Sequence, residues 1–357
     1  MKYSLLSVQP ESSIINIGDY VQALASSQFL PSIDGFIERE KLNQYNGDVT
    51  KMIMNGWFMH HPDNWPPSEN IKPLFVAFHI NILARESLLS DKSIAYLKRH
   101  EPIGCRDIYT RDLLIDKGIN AYFSGCMTLT LGNKYNCEEK DGSVYFVDAA
   151  INKTIHIYEI ALLPIVYLFN FRIINKIYKN SKNFEGSYCT FTGLAGKWKY
   201  YFKKWIRTVK FYKSYKRLFK DEILENANFV CHQSSFYSTK YKTNEELLGC
   251  AEQLVKKYAR ASLVITSRIH CALPCLGLNT PVLYVYDKNQ SKASSCRMNG
   301  LVDLFNTINI ENGKISNEDN LFESGKIGYD NIPVNKTTWK VLADSLIDKT
   351  KKWIAED

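Results

Sequence analysis

The sequence lacks several features that would place it at once in a small class of proteins. It has no CxxC pair and no His/Cys set at zinc-finger spacing, although it contains nine cysteines. It has no apolar run of the roughly 20 residues that a membrane helix needs, because the longest stretch, residues 160–171, includes Pro164 and Asn170. The N-terminal residues form only a short apolar run, so no targeting segment is expected. These absences predict a cytoplasmic protein with free thiols in a reducing compartment.

Acidic residues are nearly absent from one stretch of a chain whose composition is otherwise ordinary. The 357 residues are 45% hydrophobic and 23% charged, which excludes a disordered chain and corresponds to roughly two domains. Residues 172–220 contain 14 of the 45 basic residues but one of the 37 acidic ones, Glu185. The remainder of the chain is net acidic, so the net charge of +8 belongs to this segment and needs a local explanation.

Short apolar runs typical of buried strands alternate with helical periodicity through both halves of the chain. Strands are expected at residues 2–8, 51–55, 74–80, 102–105, 120–124, 143–148, 228–232, 261–266 and 281–286. Helices are expected at residues 19–29, 87–99, 108–117, 244–258, 271–278 and 338–354. The alternation predicts an α/β fold in which a parallel sheet carries helices on both faces.

The polar stretch 132–142 contains turn residues without apolar periodicity, and we interpret it as a linker between two α/β domains. The first domain is predicted at residues 1–135. The second is predicted at residues 143–336, with a basic aromatic insertion at about 172–220. Residues 337–357 are predicted to form a helix that packs back on the N-terminal domain. Open parallel sheets bind ligands beyond the carboxyl ends of their strands, so the cleft between the domains is the expected site.

The most informative stretch is the loop Ser267-Arg268-Ile269-His270, which lies where a predicted strand ends and a helix begins. Backbone N–H groups at a helix N-terminus bind anions. Arg268 adds a planar, permanently charged group that suits phosphate or carboxylate, and His270 adds a side chain that exchanges a proton near neutral pH. The alternative is a capping arginine and a core histidine. We prefer a site that binds an anion and transfers a proton, because strand ends in α/β folds carry sites.

Other short motifs stand at the ends of predicted strands and are candidates for the wall of the cleft. Asn16, Gly18 and Asp19 open a helix, either as a plain capped turn or as a turn that holds a polar ligand. Arg106 projects from a strand end, where the alternative is a surface ion pair with Asp107. The remaining candidates are Ser124 and Gly125 in a turn of small residues, His232 at a strand end and Arg297 in a polar loop.

Adjacent histidines, His60 and His61, raise the question of a metal site. Neighbouring residues rarely bind one metal ion together, and no third ligand stands at a suitable spacing. We therefore predict no metal, and we assign His60 and His61 to the core or to the cleft wall together with Trp57 and Trp65. The chain also has no GxGxxG motif, and we predict no cofactor.

Aromatic residues recur at helical spacing within the basic segment, over residues 197–220, with Lys and Arg in the remaining positions. A basic amphipathic helix of this kind is typical of a protein that lies on an anionic membrane surface. A second interpretation is a solvated helix whose aromatic side chains pack on the domain, and a third is a nucleic-acid site. We rank the first two equally above the third and predict no nucleic-acid partner.

Four of these stretches together resemble the polysaccharide pyruvyl transferases. The resemblance rests on NIGDYVQALA at residues 16–25, GCRDIYTRDLL at 104–114, SGCMTLTL at 124–131 and, most specifically, TSRIHCALPCLGLNTPV at 266–282. The last is similar to the Ser-Arg-Leu-His signature of that family, with Ile269 in place of leucine. The motifs occur in the expected order over nearly the whole chain, apart from residues 151–226.

The resemblance implies two Rossmann-like domains that face each other across a cleft, as in the GT-B glycosyltransferases. It implies phosphoenolpyruvate as the donor and two hydroxyls of a sugar in a capsular or other surface polysaccharide as the acceptor, with a pyruvate ketal as the product. It further implies that His270 is catalytic and that Arg268 binds the donor. Ser267 and Ile269 lie beside the donor on this view, and Arg106 is a second anion contact.

The acceptor implied by the resemblance also bears on location. Repeat units of such glycans are commonly assembled on a polyprenyl diphosphate at the inner face of the cell membrane. A basic amphipathic helix would hold the cleft near such a carrier, so the expected protein is cytoplasmic and peripheral at that face. Neutralising Lys203, Lys204, Arg207 and Lys210 is then expected to weaken binding to anionic vesicles.

Two other classes of function stay open at this point. A glycosyltransferase on the same architecture uses a nucleotide sugar and needs a cleft acid for the ribose and a carboxylate base, and the sequence offers no convincing pair. A non-catalytic adaptor with degenerate domains binds membrane or nucleic acid through the basic segment alone. Intact Arg268 and His270 at a strand end favour the enzyme.

Overall fold

The chain folds as a mixed α/β protein built on parallel sheets, in a computed structural model that describes residues 1–8, 13–153, 157–181, 193–316 and 325–356. The strands are β1 (Lys2–Ser7), β2 (Ile15–Asn16), β3 (Gly35–Glu38), β4 (Thr50–Ile53), β5 (Gly56–Phe58), β6 (Ile71–Leu74), β7 (Phe78–Ile80), β8 (Ile103–Cys105), β9 (Ala121–Phe123), β10 (Val144–Val147), β11 (Ala227–Val230), β12 (Gln233–Ser234), β13 (Leu263–Thr266), β14 (Val282–Asp287), β15 (Asn306–Glu311) and β16 (Lys314–Ile315). The alternating α/β pattern expected from the sequence is confirmed.

The α-helices are α1 (Ile17–Ser27), α2 (Arg85–Leu88), α3 (Asp91–Lys98), α4 (Ile108–Ile115), α5 (Gly132–Tyr135), α6 (Ile157–Ala161), α7 (Leu163–Phe169), α8 (Phe171–Asn180), α9 (Gly193–Tyr215), α10 (Asp221–Glu225), α11 (Ser235–Lys240), α12 (Asn244–Arg260), α13 (Ile269–Gly277), α14 (Lys292–Ser295) and α15 (Trp339–Ala355). Helix α12 has the clearest start signal, because Thr243 and Glu246 form a reciprocal capping box. The helix predicted at residues 87–99 is instead two helices, α2 and α3, which Ser90 separates.

Three parallel sheets carry most of the strands. Two have four strands each, in the orders β3-β1-β4-β6 and β5-β7-β8-β9. The third has six strands in the order β11-β10-β13-β14-β15-β16, and β16 runs antiparallel to β15. Central strands such as β8 and β13 are buried throughout, so their sequences are short apolar runs without alternation.

The strand predicted at residues 74–80 is two strands that belong to two different sheets. Strand β6 ends at Leu74 and β7 begins at Phe78. Ala77 between them has a φ of 54°, which lies outside the β region, and its N–H donates to Ser124 Oγ at 3.0 Å. The chain passes here from one sheet to the next, so the N-terminal part has two sheets where the sequence pattern predicted one.

The segment predicted as a linker, residues 132–142, begins with helix α5, which packs tightly against the second half of the chain. A Cβ atom on Gly132 would stand 1.9 Å from the carbonyl oxygen of Gly277. A Cβ atom on Gly277 would stand 2.4 Å from the carbonyl oxygen of Leu129. The backbones touch at this point, and glycine is required at both positions.

A short antiparallel ladder joins the start of α1 to the second half of the chain. Asn16 pairs with Gln233, and the N–H of Ile17 donates to the carbonyl oxygen of His232 at 2.8 Å. Helix α1 then packs along α12 within an apolar cluster that also includes α13. The motif at residues 16–19 is thereby held beside the start of α13.

The last helix, α15, contacts residues from the N-terminal part of the chain. Lys349 Nζ stands 4.5 Å from the ring centroid of Tyr122. The ammonium group of Lys51 donates to the carbonyl oxygen of Trp353 at 3.0 Å. These contacts join the two ends of the described chain.

The basic aromatic segment forms α8 and α9 over its described residues. The C-terminal half of α9 packs on the six-stranded sheet, where Phe211 and Tyr215 contact Phe146 with ring centroids 4.7 Å and 5.3 Å away. The N-terminal half leaves aromatic side chains exposed, and Trp198 keeps 74% of its surface in solvent. The predicted helix is present, and each half of it matches a different one of the two favoured interpretations.

Candidate active site

A cleft of about 280 Å³ opens where the ends of several strands meet. Its wall consists of Asn16, Asp19, Arg39, Trp57, His60, Arg106, His232, Gln233, Ser267, Arg268, Ile269, His270 and Arg297. Both halves of the chain contribute, because the loops after parallel strands gather at one edge of each sheet. Four of these residues are arginines and one is a carboxylate, so the cleft is suited to a ligand with several negative charges.

Hydrogen bonds to neighbouring strands fix the loop at residues 267–270. The N–H of Arg268 donates to Thr266 Oγ1 at 2.9 Å, and the N–H of Ala150 donates to Ser267 Oγ at 3.1 Å. Arg268 is the N-cap of α13, and its side chain makes no capping hydrogen bond. The N–H of Cys271 already donates to the carbonyl oxygen of Arg268 at 3.0 Å. The N–H groups of Ile269 and His270 have no acceptor in the described part of the chain and can bind an anion in the cleft.

Two acceptors orient the guanidinium of Arg268. Its Nε donates to Asp148 Oδ2 at 2.7 Å, and its Nη1 lies 3.4 Å from Gln233 Oε1. Burial acts to raise the pKa of Asp148, but the charge of Arg268 and the hydrogen bonds from Cys231, His232 and Arg268 together hold that pKa below the usual value. Asp148 Oδ2 also accepts from the N–H of His232 at 2.9 Å. The carboxylate thus aims Arg268 and leaves its other N–H groups for a ligand.

Arg106 is a buried cation with unused hydrogen-bonding capacity. It is 2% exposed, and its Nε has no hydrogen-bond partner in the described part of the chain. Asp107 Oδ2 lies 3.8 Å from that Nε, beyond hydrogen-bond distance. Burial lowers the pKa of Arg106, and the charge of Asp107 partly offsets this. Burying a guanidinium without a full set of hydrogen bonds costs free energy, and an anion that binds to it offsets this cost.

His270 is buried in the cleft wall, and the arginines around it control its charge. Its Nε2 has no hydrogen-bond partner among the described residues. Burial lowers the pKa of His270 far below its usual value, and the positive charges of Arg106 and Arg297 lower it further. The imidazole is therefore neutral in the ligand-free cleft. An anion that neutralises the arginines raises the pKa of His270 and brings it toward the range of a general acid.

Two more buried histidines support the cleft. His232 Nε2 lies 2.8 Å from Tyr258 Oη, and burial lowers the pKa of this histidine to about 4. His79 Nδ1 lies 2.6 Å from Asp107 Oδ2. Burial and the charge of Arg106 lower the pKa of His79 to about 4, although Asp107 raises it. Both histidines are neutral at pH 7 and position the charged residues beside them.

Asp19 supplies the carboxyl group of the cleft wall. Its oxygens accept from Asn16 Nδ2 at 3.4 Å and from Gln22 Nε2 at 3.2 Å. Burial raises the pKa of Asp19, against the lowering effect of Arg39 and Arg106. A carboxylate with a raised pKa is a better proton acceptor for a ligand hydroxyl.

The family comparison decides which interpretation of the chain applies. The family model for polysaccharide pyruvyl transferase matches residues 16–289, which include the cleft residues up to His270. The chain belongs to the polysaccharide pyruvyl transferase family. The resemblance seen in its motifs is thereby confirmed, and a transferase of polysaccharide biosynthesis is indicated. No curated protein and no solved structure matches the chain.

The structure brings most of the candidate residues of this family member together. Those in the cleft wall are Asn16, Asp19, Arg106, His232, Ser267, Arg268, Ile269, His270 and Arg297. Gly18 lies against the catalytic candidate, since a Cβ atom on it would stand 3.1 Å from the Cβ of His270. Glycine therefore permits the close approach of α1 to this side chain.

Ser124 and Gly125, which the sequence analysis assigned to the cleft, do not line it. Ser124 is buried, and its Oγ lies 3.0 Å from both the N–H of Ala77 and the carbonyl oxygen of Cys105. Gly125 has a φ of 70°, and a Cβ atom on it would stand 3.1 Å from Leu342. Ser124 therefore stabilises the turn between two sheets, and Gly125 allows the close approach of α15. The end of strand β9 is covered by other parts of the chain and does not open into the cleft.

Arg39 and Gln233 are cleft residues that the sequence analysis missed. Arg39 Nε donates to Glu40 Oε1 at 2.9 Å, and its guanidinium stands 5.1 Å from the ring centroid of Trp57. The N–H of His60 donates to Glu40 Oε2 at 2.8 Å. Trp57 and His60 thus form the cleft wall, one of the two places that the sequence left open for them, whereas Trp65 is in the core. Arg39 follows a short strand without a motif, so no local signal identifies it.

Proposed function

We propose that this pyruvyl transferase moves the pyruvyl group of phosphoenolpyruvate onto two hydroxyls of one sugar in a surface or capsular polysaccharide repeat unit, as a cyclic ketal. One observation carries the proposal. A single cleft contains Arg106, which is buried, Arg268, which Asp148 orients, and His270, which is neutral. Phosphoenolpyruvate carries a phosphate and a carboxylate, and both suit guanidinium groups. Family membership supports the same class of reaction.

The two acid groups of the donor bind different arginines in this proposal. One group contacts Arg268 and the N–H groups at the start of α13, with Ser267 and Ile269 beside it. The other contacts Arg106, whose buried guanidinium gains the partner it lacks. Arg297 lies exposed at the cleft and adds positive charge for the trianion. Binding then raises the pKa of His270 because it neutralises the arginines that depress it.

His270 is the proposed proton donor to C3 of the donor. Protonation converts the methylene group to a methyl group and leaves positive charge at C2. One sugar hydroxyl attacks C2 and gives its proton to Asp19. The bond between C2 and the phosphate oxygen then breaks, phosphate leaves, and the second hydroxyl attacks C2 to close the ring. Asp19 passes its proton to the departing phosphate, and the second hydroxyl gives its proton to His270, so both groups are restored and protons balance over the reaction.

The proposed acceptor is a sugar carried on a polyprenyl diphosphate, and the proposed location is the inner face of the cell membrane. The basic residues and exposed aromatic side chains of α9 support a peripheral position there. We further propose a GT-B-like arrangement, in which residues 1–135 form an acceptor domain and residues 143–336 a donor domain. Asp19 comes from the first and His270 from the second, which supports that division.

A thermal-shift titration of the full chain with phosphoenolpyruvate tests the donor assignment. At about 100 times its dissociation constant the donor stabilises the protein by about 2.7 kcal/mol, which is a visible rise in melting temperature. Arg268→Gln abolishes the rise. Arg260→Gln, an exposed arginine that does not line the cleft, retains it. A rise with nucleotide sugars and none with phosphoenolpyruvate would overturn the proposal in favour of a glycosyltransferase.

A further inference from the structure

A second basic cavity lies beside α9, apart from the cleft. Its volume is about 360 Å³, larger than that of the cleft. One acid, Glu159, lines it together with six cations: Lys153, Lys210, Lys213, Lys216, Arg217 and Lys314. The proposed transfer reaction uses none of these residues.

The positive charge in this cavity is largely uncompensated. Lys210 and Lys213 near the end of α9 and Lys216 just after it are half-buried, recur at three-residue spacing and form no ion pair with a described residue. Like charges at this spacing destabilise a helix, and partial burial makes each unpaired charge more costly. Lys153 has a carboxylate partner at 3.7 Å, Asp287. The cavity is therefore preorganised for an anion with more than one negative charge.

Hydrogen bonds fix the frame that carries these cations. Ser214 Oγ donates to the carbonyl oxygen of Lys210 at 2.7 Å and accepts from the N–H of Asn152 at 2.9 Å. The side-chain oxygen of Asn152 accepts from the N–H of Ile315 at 2.7 Å. Helix α9, the loop after β10 and strand β16 are thereby held together, so the cations converge from fixed positions.

An exposed apolar surface borders the same cavity. Leu163 and Val166 of α7 line the cavity, whereas Leu168 and Phe169 of the same helix are 69% and 84% exposed. No single described helix is long and apolar enough to cross a membrane, although Tyr158–Phe169 and Phe171–Asn180, bent by 100°, pass by length and composition together. A short helix with an exposed apolar face beside cations is suited to lie in a membrane interface.

Aromatic contacts connect this apolar surface to the exposed half of α9. The rings of Tyr167 and Trp205 meet edge to face with centroids 5.6 Å apart. Trp205 stacks on Phe202 at 6.2 Å, and Phe202 stacks on Trp198 at 5.7 Å. The series leads from the helix that lines the cavity to a tryptophan in solvent. Tryptophan and tyrosine side chains concentrate at membrane interfaces, where one part of the ring is wet and the other apolar.

We propose that the cavity binds the phosphate groups of a membrane lipid, while α7 and the N-terminal half of α9 lie in the interface. The phosphates contact Lys210, Lys213 and Lys216, and Arg217 closes over them. A bilayer accounts for both features, since it covers the apolar surface and supplies the anion. A nucleic acid would neutralise the cations and leave Leu168 and Phe169 in water.

The cavity and the cleft are close enough to serve one ligand. The loop from Asp148, which holds Arg268 of the cleft, to Lys153 in the cavity is six residues long, so it spans at most about 20 Å. Tyr215 Oη donates to the carbonyl oxygen of Ala150 in this loop at 2.5 Å. The identity of the lipid rests on the proposed function: a polyprenyl diphosphate that carries the acceptor sugar places its phosphates here and its sugar toward the cleft.

Co-sedimentation of the full chain with vesicles, without donor or acceptor, tests the site. The vesicles contain phosphatidylcholine alone, or with phosphatidylglycerol, or with a polyprenyl phosphate. The protein is expected to bind the last two, and the triple variant Lys210→Gln/Lys213→Gln/Lys216→Gln is expected to bind at least tenfold less. The control Lys340→Gln/Lys351→Gln/Lys352→Gln removes equal charge from exposed positions of α15 and retains binding.

A second pair of variants tests the apolar surface. The double variant Leu168→Ser/Phe169→Ser is expected to bind vesicles more weakly. Its remaining binding is expected to be electrostatic and to disappear at high salt. Leu83→Ser, at a leucine 87% exposed elsewhere, is the control and binds as the wild type does. Circular dichroism establishes that each variant is folded.

Three results would overturn the proposal. They are equal loss of vesicle binding in both lysine triples, no vesicle binding by the wild type, and salt-sensitive binding of an RNA oligonucleotide without vesicles. Because none of these readouts requires phosphoenolpyruvate, a failure of this proposal is distinguishable from a failure of the proposed transfer reaction.

Discussion

At the scale of single residues, the cleft places an incompletely hydrogen-bonded arginine beside a neutral histidine. Arg106 is buried with an unpartnered Nε in the described part of the chain. His270 is neutral because burial lowers its pKa, and the charges of Arg106 and Arg297 lower that pKa further. Of Arg106, His270 and Arg268, only Arg268 has a carboxylate, that of Asp148, at hydrogen-bond distance. An anionic donor therefore changes the protonation of the cleft as well as filling it.

The variant Arg297→Gln tests this electrostatic control. It removes a positive charge that lowers the pKa of His270, so that pKa is expected to rise in the ligand-free protein. The affinity for phosphoenolpyruvate is expected to fall about tenfold, or ~1.4 kcal/mol. Histidine NMR titration and thermal-shift titration measure the two effects. Arg297→Lys keeps the charge and is the control, and an unchanged pKa of His270 in Arg297→Gln would contradict the argument.

Local sequence pattern predicted the residues of the cleft that stand at strand ends. Arg106 follows β8 directly and His270 lies four residues after the end of β13, so their positions needed no long-range information. Asp148 was not predicted as the partner of Arg268, because their contact depends on the pairing of β10 with β13, which sets Val147 beside Thr266. A register between strands 120 residues apart is a tertiary property that the local pattern does not carry.

At the scale of secondary-structure elements, close backbone packing positions α13 and its N-terminus. The 3-10 turn at Met127–Thr130 and helix α5 both touch α13 through glycine positions. Their apolar side chains share one cluster with α1 and α12. The start of α13 is therefore fixed from one side by this contact and from the other by strand β13.

Gly277→Ala tests the backbone contact. The added Cβ atom meets the carbonyl oxygen of Leu129 at 2.4 Å, and overpacking of this kind costs about 1–3 kcal/mol of stability. Urea denaturation is expected to show this loss as a lower midpoint. Gly249→Ala is the control, because a Cβ atom there meets nothing within 4 Å and alanine favours the helix by about 1 kcal/mol. Wild-type stability of Gly277→Ala would refute the contact.

The types and approximate limits of the longer elements could be predicted, and their division among sheets could not. The helices α12 and α15 and the buried strand β13 follow from periodicity and capping residues. The split at Ala77 depends on a hydrogen bond from its N–H to Ser124 Oγ. The short strand β3 has no alternating pattern, and its place beside β1 comes from tertiary packing. The local sequence pattern therefore predicts neither the split at Ala77 nor the position of β3.

At the scale of the whole molecule, buried neutral histidines make the stability depend on pH. The pKa values of His79 and His232 are lowered by burial to about 4 in the folded protein, against about 6.5 in an unfolded chain. As pH falls below 6.5, the unfolded chain binds protons that the folded protein does not. Stability is therefore full above this pH and falls as pH drops toward 4.

The melting temperature is expected to fall between pH 7 and pH 5. At pH 5 each of the two histidines costs about 2 kcal/mol, at 1.36 kcal/mol per pH unit. Calorimetric melts at both values measure the fall. His232→Gln removes one of these contributions and is expected to flatten the pH dependence, even if its melting temperature at pH 7 is lower. A melting temperature that does not change between pH 7 and pH 5 would contradict the assignment.

The most direct measurement of the central claim is proton uptake when phosphoenolpyruvate binds. Calorimetric titration near pH 7 in two buffers of different ionisation enthalpy gives the number of protons taken up per donor bound. In the proposed reaction the donor neutralises Arg106 and Arg297 and thereby raises the pKa of His270. We therefore expect net proton uptake by the wild type and less in His270→Gln, which is expected still to bind the donor. Equal proton uptake by the two proteins, or none by either, would contradict a role for His270 as the acid that protonates C3.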